Sequence, residues 1–124
     1  MKIPQGHQSV MPYLILPEAE NFSEFTKQVF DAKVSLTKLR EDEKTIMHSE
    51  LMIGNSTIMF AGATERFTTQ TAHLFVYIDN VDETYQKALN NGATSVMGLS
   101  DQDYGRTCGV LDPFGNTWWI TSVN

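Results

Sequence analysis

The chain carries a single cysteine, Cys108, in 124 residues. No disulfide can form within it, so a reducing compartment, the cytoplasm, is the expected location. No apolar run approaches the ~20 residues that a membrane-spanning helix needs. The opening residues, Met1 to His7, lack the apolar centre of a signal peptide. No membrane partner is therefore expected. Basic residues number 9 against 15 acidic ones, for a net charge of -6, and they form no cluster. A nucleic-acid partner is not expected either. A glycine-rich phosphate loop, a serine nucleophile elbow and a paired-cysteine motif are all missing. Their absence removes support for several common reaction classes.

What remains suits one globular domain. Hydrophobic residues make up 41% and charged residues 19%, which excludes a disordered chain. The length allows one real core but not two independent domains. The strongest local signal is Tyr104 to Ile120, which reads as strand, tight turn, strand. Asp112-Pro113 opens the turn and Gly115-Asn116 closes it, because proline pre-sets φ and the last two tolerate a positive one.

The order of elements then repeats. Val10 to Leu16 predicts a strand that sits at an edge or begins irregularly, because Pro12 cannot donate to a ladder. Phe22 to Asp31 predicts a helix capped by Asn21, with Glu24 three residues on. Val34 to Leu39, Ile46 to Ile53 and Ser56 to Phe60 predict three strands, the last two joined by Gly54-Asn55. In Ile46 to Ile53, Ser49, Leu51 and Ile53 share one face, and His48, Glu50 and Met52 the other. After a polar linker, His73 to Ile78 predicts a strand with Leu74, Val76 and Ile78 on its aliphatic face. Asn80 caps a second helix that ends at Gly92. Thr94 to Met97 predicts a short strand and Gly98 to Asp103 a loop, before the hairpin already described. The fold class expected is α+β: paired βαβββ modules forming a curved mixed sheet with a cleft. Module one covers about 9–61, the linker 62–71 and module two about 72–123 of a single 1–124 domain.

With these residues in place, the chain resembles the glyoxalase/bleomycin resistance/extradiol dioxygenase superfamily, also called vicinal oxygen chelate, over nearly its whole length. Tyr104-Gly-Arg106, Asp112-Pro-Phe-Gly-Asn116 and Trp118 are similar to the PhnB-like branch, as are Pro12-Tyr13-Leu14 and His48-Ser-Glu-Leu51-Met-Ile-Gly54. The resemblance implies a small dimeric protein. In metal-dependent members it implies one ligand on the first and last strand of each module. Carried over, those positions fall at about Pro12, at Ile58 or Met59, at His73 and at Trp119. Only His73 is a good ligand, so no cofactor is expected.

The alternative is a divalent metal held by His48, Glu50 and His73, giving a metal-dependent lyase, isomerase or dioxygenase. A further alternative is a ferredoxin-like regulatory or interaction domain, against which the Gly54/Gly115 and Asn21/Asn80 correspondences count. The reading adopted is a metal-free protein of the bleomycin-resistance type that binds a small organic ligand and forms a homodimer. His48, Glu50, His73, Tyr77, Arg106 and Trp119 are expected to line one pocket, with Arg106 meeting an anionic group. Cys108 has no histidine partner in the pattern, and no nucleophilic role is assigned to it.

Overall fold

Two periodicities, alternation in the strands and a 3.6-residue repeat in two short helices, produce the architecture of the computed structural model, which describes residues 1–123. The strands are β1 (Tyr13–Leu16), β2 (Lys33–Leu39), β3 (Ile46–Ile53), β4 (Ser56–Gly62), β5 (His73–Tyr77), β6 (Thr94–Gln102), β7 (Gly105–Leu111) and β8 (Thr117–Ser122). Helix α1 spans Phe22–Phe30 and α2 spans Val81–Asn90. Four strands form one mixed sheet in the order β1-β4-β3-β2, and four form a second in the order β5-β8-β7-β6. In each sheet the first strand lies parallel to the last: Tyr13 opposes Met59, and His73 opposes Thr117. The expected βαβββ repeat is therefore present twice, with each helix as the crossover.

The two sheets do not merge into one. Their inner faces and both helices share a single core instead. Phe22 of α1 stands edge-on to Phe60 of the first sheet and to Phe114 of the β7–β8 turn, with ring centroids 5.0 and 5.4 Å away. Phe30 lies 4.5 Å from Trp118 of β8. Thus α1 belongs to module one by sequence and to both modules by packing. Each buried ring of this kind contributes roughly 1.5–3 kcal/mol through the apolar area it removes from water.

Several boundaries differ from the sequence reading, for local reasons. Strand β1 begins at Tyr13, just past Pro12. Strand β4 runs on to Gly62, because β1 supplies a partner for Ala61 and Gly62. Strand β6 continues through Gly98 to Gln102; a register irregularity between Met97 and Ser100 absorbs the glycine, and β7 pairs the remainder. Leu74, Val76 and Ile78 pack on the core but are only half-buried. Leu74 and Val76 of the edge strand β5, and Ile78 just beyond it, border a groove of about 460 Å³ between the modules, together with Phe30, Ile58 and Trp118.

Candidate functional site

Strand phase leaves one face of each sheet turned away from the core. On the first sheet, the outward residues of β3 are His48, Glu50 and Met52. Tyr13 of β1 reaches across Met59 of β4, and its hydroxyl lies 3.0 Å from His48 Nδ1. His48 Nε2 lies 2.8 Å from one oxygen of Glu50. His7, on the segment preceding β1, places Nε2 2.7 Å from the other. Hydrogen bonds from His48 and His7 hold the Glu50 carboxyl below its ordinary range, against the opposing effect of burial. An ionised carboxylate only accepts, so both imidazoles donate to it from Nε2. With a single proton on the ring, His48 accepts at Nδ1 and Tyr13 donates; with two, that bond runs the other way. The same N-terminal segment is tied down by a bond from the Thr57 hydroxyl to the Gly6 carbonyl and by Gln8, whose side chain pairs with both backbone groups of Thr57.

On the second sheet the outward face is aromatic. Phe75 and Tyr77 stand 5.2 Å apart, and Tyr104 lies 6.4 Å from Phe75. All three are about half exposed or more. Trp119 lies nearly parallel to His73 and donates from Nε1 to His73 Nδ1 at 3.1 Å. The indole lies flat because residue 109 is glycine: a Cβ there would sit 2.5 Å from a Trp119 ring carbon. Beneath the rings, the hydroxyls of Thr107 and Thr121 bond to each other at 2.9 Å.

The six residues expected in one pocket therefore fall into three groups. His48 and Glu50 come together on the first sheet. His73 and Trp119 come together on the second, with Tyr77 farther along the same face beside Phe75. Arg106 belongs to neither: it emerges on the inner side of β7, where its guanidinium takes Asp82 of α2 at 2.7 Å and Asp101 of β6 at 3.1 Å. These bonds push its proton affinity up and hold the Asp82 carboxyl down. Arg106 is a strap between sheet and helix, and the expectation that it meets a ligand in a shared pocket is corrected on that ground. Cys108 is buried, and desolvation pushes its thiol up to about 11, so it stays protonated at neutral pH.

The donor set does not fit a metal. Phase settles the register at Met59, since Ile58 points into the core. The four outward positions at the paired first and last strands thus hold Tyr13, Met59, His73 and Trp119. Among the described residues, no three His, Cys, Asp or Glu side chains are placed to hold a metal ion. His48 and Glu50 lie on a different sheet from His73, so that alternative trio does not converge within one chain.

Sequence reasoning missed His7, Tyr13, Arg40, Arg66 and Phe67. Residues Tyr13, Ile15, Arg40, Met47, Arg66 and Phe67 border a cavity of about 470 Å³ at the end of the first sheet's outer face. Only Tyr13 carried a signal, as part of Pro12-Tyr13-Leu14. Arg40 sat in a charge run that reads as a solvated turn, and His7 and Arg66 sit in segments without periodicity.

Two βαβββ modules with an outward face on each four-stranded sheet define the architectural class of the chain. Residues 13–120 match the Glyoxalase/Bleomycin resistance protein/Dioxygenase superfamily, and the chain belongs to that superfamily. It is 32% identical to the uncharacterized protein Mb0911c of Mycobacterium bovis, over 89% of this chain and 80% of that one. Among solved structures it is similar to protein PA1353 from Pseudomonas aeruginosa, with a TM-score of 0.76 at 17% identity, covering 94% of this chain and 98% of that one. It is also similar to TnmS3, an antibiotic binding protein from Streptomyces sp. CB03234, with a TM-score of 0.69 at 13% identity, covering 95% and 100%. At these identities the two structures speak for the fold alone.

Proposed function

We propose that this protein binds a small planar organic molecule without a catalytic metal, in the manner of the bleomycin-resistance side of its superfamily and of the PhnB-like branch. The observation that carries the reading is the row of rings on the second sheet: His73, Phe75, Tyr77, Tyr104 and Trp119. Exposed aromatic clusters are costly in water and suit stacking against a flat ligand. The exposed phenol of Tyr77 supplies a polar contact that would fix orientation. TnmS3, of the same fold, is an antibiotic binding protein, which agrees with this use of the fold. The mismatch between the outward donors and metal coordination supports the metal-free part of the reading.

The test is a thermal-shift screen of planar aromatic compounds, with Trp119 fluorescence as a second readout. Hits should raise the melting temperature and quench Trp119. Trp119→Phe and Tyr77→Phe should fold normally and change the set of hits. Gly109→Ala should displace the indole and remove them. The protein used should carry less than about half an equivalent of any transition metal, since a stable site needs three or more converging ligands. An unchanged hit set in all three variants, or stoichiometric metal lost on His73→Ala, would refute the proposal.

A further inference from the structure

The outer face of the first sheet holds a cavity that the aromatic row of the second sheet does not explain. Two guanidinium groups, Arg40 and Arg66, border it. Arg40 donates from Nη2 to the Gly62 carbonyl at 2.9 Å, and Arg66 lies over the Phe67 ring at 5.1 Å. Among the described residues, neither has a carboxylate within ion-pairing distance, although this chain is acidic overall. The other walls are largely apolar: Tyr13, Ile15, Met47, Ala61 and Phe67. Its volume of about 470 Å³ lies within the ordinary range for a small ligand. Tyr13 belongs both to this wall and to the chain of hydrogen bonds through His48 to Glu50.

We infer that this cavity is a binding site for a small organic carboxylate on an apolar body, held by Arg40 and Arg66, and that protonation of His48 switches its third donor, Tyr13, into place. Two guanidiniums match a planar carboxylate through paired N–H groups, and the apolar walls take the body. The switch follows from donor counting. While His48 is neutral, its Nε2–H is committed to Glu50, its Nδ1 must accept, and the one phenolic proton of Tyr13 points to it. When His48 takes a proton from solvent, Nδ1–H becomes a donor to the Tyr13 oxygen. The phenolic proton is then free to turn towards an anion. The ligand's negative charge favours that protonated state in return, so binding takes up a proton. The groups facing His48 are Glu50 on its own strand, Tyr13 on β1, Lys38 opposite it on β2, and His7 on the far side of Glu50. The site therefore gains affinity as pH falls through the histidine range.

Isothermal titration of the full chain with benzoate, and separately with inorganic phosphate, tests this. Runs at about pH 8 and about pH 6 bracket the histidine range, each in two buffers of different ionisation enthalpy. Benzoate should bind more tightly at the lower pH, with net proton uptake, and phosphate more weakly than benzoate. Arg66→Gln alters an exposed side chain and should weaken benzoate about tenfold or more. His48→Gln should abolish the pH dependence and the proton uptake, and Tyr13→Phe should do the same. No benzoate binding at about pH 6, phosphate bound in preference, affinity unchanged in Arg66→Gln, or pH dependence surviving in His48→Gln would each overturn the inference.

Discussion

At the scale of the residue, Asp112 does more than start a turn. Its Oδ1 accepts the backbone N–H groups of Phe114 and Asn116 at 2.8 and 2.9 Å. Its Oδ2 accepts the Asn116 amide at 3.0 Å and the Trp118 indole at 2.8 Å. All of this is buried, and Asn116 is fully enclosed. Removing the carboxylate strands four donors away from water. Asp112→Ala should therefore cost on the order of 3 kcal/mol or more in urea denaturation, and Asp112→Asn, which keeps one accepting oxygen, clearly less. Equal losses in the two variants would refute this account. The sequence reading located the turn from Pro113 and Gly115 but could not supply this role. Backbone chemistry is local, whereas the Trp118 contact depends on how the two strands register. His7 shows the same limit more strongly: its partner Glu50 lies 43 residues away, and no local pattern connects them.

At the scale of the element, two asparagines that look alike in sequence behave differently. Asn80 has an extended backbone, φ -130 and ψ 91, and its side chain accepts from the Glu83 N–H. Asn21 is the last residue of a 3₁₀ turn over Ala19–Asn21, so its backbone is already helical at φ -95 and ψ -10, and its side chain makes no cap bond. A side chain reaches the free amides of the first turn only from an extended residue. Asn80→Ala should cost about 1 kcal/mol and Asn21→Ala less than about 0.5 kcal/mol, measured by thermal melting. Equal costs would contradict the geometry. Apolar spacing made both helices, the β3–β4 hairpin and the inward face of β3 legible. The length of β6 was not legible, because Gly98 reads as a break and only the partner strand β7 carries the ladder past it.

At the scale of the whole molecule, the two outer faces are unfinished. Tyr13, Leu36 and Met47 on the first sheet, and Phe75, Tyr77 and Tyr104 on the second, expose large apolar surfaces. We propose that a second copy of this chain packs beside them as a closed two-fold dimer, the commonest assembly for such surfaces, leaving the ligand-binding faces as clefts between the copies. Sedimentation equilibrium at micromolar concentration should give twice the chain mass, and a monomer there would refute the proposal. The types of the site residues were legible from strand phase, since His48 and Glu50, and His73, Tyr77 and Trp119, each point outward as alternation requires. Their convergence was not, because phase fixes the face of a strand and leaves the relation between two sheets open. The parallel pairing of first and last strands also bears on how the chain acquires its structure. Strands β2, β3 and β4 meet through short turns and can assemble quickly, whereas β1 has no neighbour until β4 exists, and β5 waits in the same way for β8. Each closure must overcome the entropy of a loop as long as the module. Since α1 completes its packing only on Phe114 and Trp118, the first half of a nascent chain remains immature until the final hairpin arrives.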